Sequence, residues 1–449
     1  MTPIQIEPFK IYKHNPKLEQ IKKTGLGIFL TGIFFLLVSL TGAAMQMPRL
    51  FLFLSFGLPV IGTIIYCLPV IWETPAGIKN NKIFFNNFTS RGIIAWIAGI
   101  IITLFYVFLY WFPSTIENWI RLVDPLSYFL RGEKADRWFL YGTFYTLAVL
   151  FMGMKMIIKY RHNRYQFIRT ISVMFFQLGF AYLIPALLIM FNKPEHYFTY
   201  FWPLKYQYLF PNSVHYLVNT SGALGYFMVF WGAAMTFIAV PVLSYFFGKR
   251  WYCSWVCGCG GLAETAGDPF RHLSDKSLKA WKIERWSIHS VLIFVIITTA
   301  LVWMNSATDG KTLGSLSHTF SSAYGFLIGA VFSGIVGVGF YPLMGSRVWC
   351  RFGCPLAAVL GLFQKFKSKF RITTNGGQCI SCGNCSTYCE MGIDVRSYAQ
   401  RKQNIIRSSC VGCGVCAAVC PRGVLRLENG PEDGRYNYVL DDKLLNDIN

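Results

Sequence analysis

Eight runs of apolar residues dominate this chain, at residues 25-47, 50-72, 92-112, 138-158, 170-191, 223-247, 287-304 and 321-345. A run of about 20 apolar residues, wound as a helix, crosses a hydrocarbon core roughly 30 Å thick while satisfying its own backbone. The expected fold class is therefore an α-helical membrane protein with about eight transmembrane helices. Composition agrees, with 54% hydrophobic, 17% aromatic and only 14% charged residues. That balance excludes disorder, collagen, coiled coil and an ordinary soluble domain. A polar, basic leader at 1-24 precedes the first run. It lacks the small-residue cleavage site of a signal peptide, so the first run is expected to be retained as a span.

Lys and Arg total 42 against 21 Asp and Glu. An N-terminus on the cytoplasmic side puts 1-24, 73-91, 159-169, 248-286 and 346-449 on that face. Together with Lys155 these segments carry 34 basic and 15 acidic residues, leaving 8 and 6 outside. Basic flanks resist translocation, so this asymmetry sets the orientation. The net charge of +21 is then topological, with the lipid bilayer as partner and no nucleic acid required. On the outer side, rings cluster between Tyr197 and Tyr216. They read first as an aromatic belt or an interfacial helix, and second as a docking surface or quinol mouth with His196 and His215 as proton acceptors.

Thirteen of the 14 cysteines lie after residue 250. Eight form two matching runs, Cys379-x-x-Cys382-x-x-Cys385-x-x-x-Cys389 and Cys410-x-x-Cys413-x-x-Cys416-x-x-x-Cys420-Pro421. Three thiolates at steps of three wrap one cubane and the fourth reaches the other. Cys379, Cys382, Cys385 and Cys420 are thus expected to hold one [4Fe-4S] cluster, and Cys410, Cys413, Cys416 and Cys389 the second. Zinc takes only four ligands in paired knuckles, and disulfides do not suit eight thiols on a reducing face. The first run continues Cys389-Glu390 where Pro is usual, which places a carboxylate beside a cluster. The expected domain here is a small α+β, bacterial ferredoxin-like unit of about 371-428, within a cytoplasmic region 346-449.

Two further motifs follow directly on spans. Gly248-Lys249-Arg250-Trp251-Tyr252-Cys253-x-x-x-Cys257 and Gly345-Ser346-Arg347-Val348-Trp349-Cys350-x-x-x-Cys354 share the pattern Gly-x-Arg-x-aromatic-Cys-x-x-x-Cys. Both lie on the ferredoxin side of the membrane. Cysteines four apart share a helix face, where Cys253, Cys257, Cys350 and Cys354 are candidates for a redox or metal site. Gly258 stands where the second motif has Pro355, Cys259 adds a fifth thiol just beyond it, and Cys67 reads as a core residue of the second span. Gly258-x-Gly260-x-x-Ala263 also matches a dinucleotide fingerprint, but a membrane span rather than a strand precedes it. The membrane region divides into 25-222, with five spans, and 223-345, with three spans and the first exit motif.

Paired exit motifs followed by a two-cluster ferredoxin domain resemble the polyferredoxin-type membrane 4Fe-4S electron-transfer proteins. These include the quinol-dehydrogenase subunit of periplasmic nitrate reduction, the nitrous oxide reductase regulator and the cytochrome oxidase accessory protein. The resemblance spans residues 223 to 428. It implies a bacterial inner membrane and electron transfer between a quinone pool or cytoplasmic donor and another redox protein or subunit. The sequence itself favours a relay over a pump, because charges are almost absent from the spans. It contains no Cys-x-x-Cys-His for covalent haem, and His289 is the one histidine inside an expected span. The chain reads as an electron-transfer component of an oxidoreductase system. The rival expectation is an accessory protein that reduces or handles a metal such as copper at the exit thiols, which are soft ligands suited to Cu(I).

Overall fold

The computed structural model describes residues 15–73, 76–77, 89–308 and 310–430. Most of the basic leader, much of the 73-91 segment and the end of the chain lie outside these residues. Among the described residues, eight helices are long and apolar enough to cross a membrane: α1 (Pro16–Ser39), α2 (Pro48–Trp72), α3 (Ile93–Trp111), α4 (Arg137–Lys159), α5 (Arg164–Met190), α6 (Ala223–Phe247), α7 (Leu278–Ala307) and α8 (Leu316–Gly339). The chain is a multi-pass membrane protein. α9 (Pro355–Lys367) follows the second exit motif, and β1 (Phe370–Thr374) pairs antiparallel with β2 (Leu425–Asn429).

Helix starts depart from the apolar boundaries for a local reason. Asn15, Asp136, Asn163 and Ser277 each accept a hydrogen bond from a first-turn amide, and Pro16 sits at the first helical position. Such caps satisfy orphan donors and let a helix begin in polar sequence. α5 therefore starts six residues before 170 and α7 nine before 287, while α1 takes in part of the expected leader. α1 ends at Ser39 rather than 47, and α8 at Gly339 rather than 345.

Ile93, Ile97, Ile100, Ile101 and Leu104 form an exposed aliphatic stripe on α3, suited to lipid chains. The ring-rich segment after α5 divides in two: its second half forms the short helix Pro211–Ser221, with Tyr216 exposed, and its first half is irregular. Residues 192–210 run as irregular backbone through the bundle, with Phe201 and His196 buried. Trp231 Nε1 donates to the Phe198 carbonyl at 2.9 Å and Tyr252 Oη to the Thr199 carbonyl at 2.6 Å. Irregular backbone is tolerated at such a place only when protein groups satisfy it.

The ferredoxin segment is clamped onto the helices. Gln364 of α9 donates to the carbonyls of Arg407 and Cys410, and its Oε1 accepts from the Lys249 amide at 2.7 Å. Tyr165 and Gln166 of α5 bond the Gly412 and Cys413 carbonyls, and Ser254 bonds that of Val411. A single buried cluster of side chains runs from Phe201, Tyr252 and Trp349 through to Cys385 and Cys416.

Candidate iron-sulfur centre

The two cysteine runs fold as their spacing demands. Gly383 and Gly414 take positive φ, and each precedes a single helical turn, Asn384–Thr387 and Val415–Ala418. The turns bring the thiols into two separate small cavities. Cys379, Cys382, Cys385 and Cys420 line one. Cys389, Cys410, Cys413 and Cys416 line the other. Each quartet takes three cysteines from one run and the last from the other. The Ile393 amide donates to Cys389 Sγ at 3.4 Å, the kind of N–H to sulfur contact that suits a ligated thiolate. The residues present fit [4Fe-4S] clusters. Cys382 is exposed, whereas Cys389, Cys410 and Cys416 are buried towards the helices.

The exit motifs repeat one local structure. Gly248 and Gly345 open them with φ of 64° and 91°, a region where a side chain is strained. Cys253 closes the short helix Arg250–Cys253, and Cys350 sits in Val348–Phe352. The expectation that each pair shares one helix face is not met. The chain turns between them, with the Cys257 amide bonding the Tyr252 carbonyl and the Cys354 amide that of Trp349. Cys257 and Cys354 then stand at the caps of new helices, Gly258–Glu264 and α9. The Gly258–Ala263 fingerprint accordingly follows a turn rather than a strand.

These turns fold back into the bundle. Cys253, Cys257, Cys259, Cys350 and Cys354 line one cavity of about 510 Å³, which extends to Glu195 and Lys205 of the irregular segment. A hydrogen bond from the Cys259 thiol, helped by the Gly260 amide, draws the buried Cys257 thiol down to about 7. Burial pushes Cys253 up to about 12. His196 does not line this cavity. Its ring lies 2.9 Å from Tyr208 Oη, while His215 is exposed beside Asn219, so the two are not brought together. Cys67 lies half-buried in α2, away from the other thiols.

Between exit cavity and ferredoxin segment lies a buried ion network that sequence reasoning largely missed. Arg347 Nη2 meets Glu264 at 2.6 Å and Arg347 Nε meets Glu390 at 3.0 Å. Arg271 pairs with Glu390 at 2.5 Å, with Asp268 at 2.8 Å and with Glu264. Lys159 reaches Asp268 at 2.6 Å and Lys155 at 3.5 Å, and Arg169 pairs with Glu264. Burial opposes charge on Glu264 and Asp268, yet the surrounding cations hold both well below the usual carboxylate range. Five cations (Lys155, Lys159, Arg169, Arg271, Arg347) surround three carboxylates (Glu264, Asp268, Glu390). The excess positive charge suits neighbours as negative as thiolate-bound clusters. Glu264, Glu390 and the Cys413 sulfur lie within 4.8 Å of one another. Arg347 also comes 3.6 Å from Cys350 Sγ, so one guanidinium touches both an exit thiol and Glu390. The signals available in sequence were Glu390 in place of Pro and the Arg347 of the repeated Gly-x-Arg motif.

Comparison with known proteins supports this assembly. A model described as a 4Fe-4S dicluster domain matches residues 371–421. A second, a 4Fe-4S binding domain, matches twice, at 229–277 and 324–373, each copy containing one exit motif. YccM of Escherichia coli (strain K12), an electron transport protein by name, is 27% identical over 37% of this chain and 49% of its own length. The methylamine utilization ferredoxin-type protein MauN of Methylobacillus flagellatus is 25% identical over 34% of the chain and 52% of its length. An uncharacterized protein of Methanocaldococcus jannaschii is 24% identical over 37% and 69% respectively. The chain thus spans about half the length of the first two relatives. No solved structure matches it. On its dicluster domain, its repeated membrane motif and these relatives, the chain is similar to the polyferredoxin-type membrane 4Fe-4S electron-transfer proteins.

Proposed function

We propose that the protein relays electrons between a partner at the exposed Cys382 face and the exit-thiol cavity within the bundle. The observation that carries this reading is the order of the sites. The Cys379, Cys382, Cys385 and Cys420 cavity opens at the surface. The Cys389, Cys410, Cys413 and Cys416 cavity lies behind it, and Glu390 with Arg347 connects its wall to Cys350. Two [4Fe-4S] clusters, when bound there, supply one-electron exchange. The chain's own residues hold and space them: the α9 clamp fixes the inner loop, and the cation network offsets buried negative charge.

The basic asymmetry supports a bacterial inner membrane with the N-terminus and ferredoxin domain cytoplasmic. The donor is then a soluble reductant or a quinol, and the acceptor a redox protein or subunit reached from the Glu195–Lys205 side of the cavity. Handling of copper at the exit thiols is the second reading, favoured by five cysteines on one cavity wall.

The test is transfer across a bilayer. Liposomes carrying the full chain and loaded with ferricyanide are exposed to external dithionite. Rapid internal reduction, lost in Cys382→Ser, is the expected result. A rate equal to that of protein-free liposomes refutes the relay.

A further inference from the structure

Each exit motif carries only half of the four ligands that a cubane takes. The matching segments 229–277 and 324–373 are also two copies of one unit. Folding joins the halves, because Cys253 and Cys257 from the first copy face the same cavity as Cys350 and Cys354 from the second. The paired thiols have equivalent settings. In each copy the first cysteine lies in a short helix and the second caps the next one, with its amide turned back onto the aromatic residue before the first.

Two observations point to ligated thiolates, and a third to a cluster rather than a single ion. The Ala357 amide donates to Cys354 Sγ at 3.4 Å, the same contact that Ile393 makes to Cys389 in the ferredoxin segment. Arg347 Nη1 lies 3.6 Å from Cys350 Sγ, and Lys249 is buried nearby, so cationic groups stand beside the sulfurs. Among the described residues no three cysteine sulfurs approach within 4.8 Å of one another. A lone tetrahedral ion with bonds of about 2.3 Å would draw them closer than that. The two ferredoxin quartets likewise contain no three sulfurs within 4.8 Å of one another.

We propose that Cys253, Cys257, Cys350 and Cys354 jointly hold one [4Fe-4S] cluster, shared between the two copies of the membrane motif and additional to the two of the ferredoxin segment. This deepens the relay reading and rests on it: the third cluster is the terminus from which electrons leave towards the cavity. Cys259, on the same cavity wall but outside the repeated Cys-x-x-x-Cys pair, is the spare thiol and not in the ligand set.

Iron and acid-labile sulfide counts on the full chain, purified without oxygen in detergent, test the proposal. Wild type should contain about twelve of each, and Cys350→Ser with Cys354→Ser about eight, a loss of one third. Cys259→Ser should keep the wild-type count. A variant with Cys385→Ser and Cys416→Ser should retain the signal of the membrane cluster in Mössbauer spectra, which guards against misfolding of the first variant. Wild-type protein with about eight iron, or with stoichiometric copper or zinc at the exit thiols, overturns the third cluster. Eight iron with electron transfer across liposomes intact would leave the relay standing, so the two failures are distinguishable.

Discussion

Glu390 follows a cluster cysteine directly, and the bundle has built a fully buried double ion pair around it with Arg271 and Arg347. Removing one partner of a buried pair leaves the others uncompensated, at a cost of about 3–5 kcal/mol. Glu390→Gln also removes a negative charge beside Cys389, which favours the reduced, more negative cluster. The expected outcome is a raised midpoint potential for the Cys389, Cys410, Cys413 and Cys416 cluster, read by a redox titration followed by EPR. An unchanged or lower potential would show that the carboxylate is electrically remote from it. Glu264 and Asp268 set a pH dependence. Their folded values are depressed, so the stability they contribute is present above the unfolded carboxylate value of about 4 and is lost as pH falls below it. Melting temperature in detergent should therefore drop in acid, and less steeply in Asp268→Asn. The cysteine quartets were legible in sequence because their spacing is local chemistry. The ion network was not, since Lys159 and Asp268, or Arg271 and Glu390, stand more than a hundred residues apart and leave no periodic mark.

α9 shows how an element can dock a cluster loop. Its Gln364 is buried and spends both ends of its amide on backbone groups of Lys249, Arg407 and Cys410. Gln364→Leu leaves those buried groups without their partner, at about 1–3 kcal/mol for each that stays unsatisfied. The inner cluster should then lose iron faster under chelator than the surface cluster does. Equal rates would argue that the loop is held by Tyr165, Gln166 and Ser254 alone. The apolar runs predicted the eight described helices that are long and apolar enough to span, because hydrophobic length is a property of contiguous sequence. Boundaries shifted where Asn163 and Ser277 cap helices that begin in polar sequence. The exit motifs misled in another way. Four-residue spacing reads as one helical face, yet the Tyr252 and Trp349 carbonyls bond amides five residues on, and the helix breaks there.

Across the whole molecule, the exit thiols line the cavity that reaches Glu195 and Lys205, and in the proposed relay they receive electrons that enter at the Cys382 face. The sequence showed that these thiols repeat and follow spans. It did not show that residues 192–210 turn inward to meet them, because irregular backbone carries no periodicity. With Cys350→Ser and Cys354→Ser, serine preserves size but is a poor ligand for iron. Dithionite should still reduce the clusters at Cys382 and Cys389, since their quartets are untouched, while ferricyanide inside liposomes should stay oxidised. Bleaching of the ferredoxin absorbance followed beside the internal ferricyanide signal separates the two steps. Normal bleaching with a transfer rate cut at least tenfold is the expected pattern. Transfer at the wild-type rate would mean that electrons leave the inner cluster by another face, and that the exit cysteines serve only to pack the two halves together.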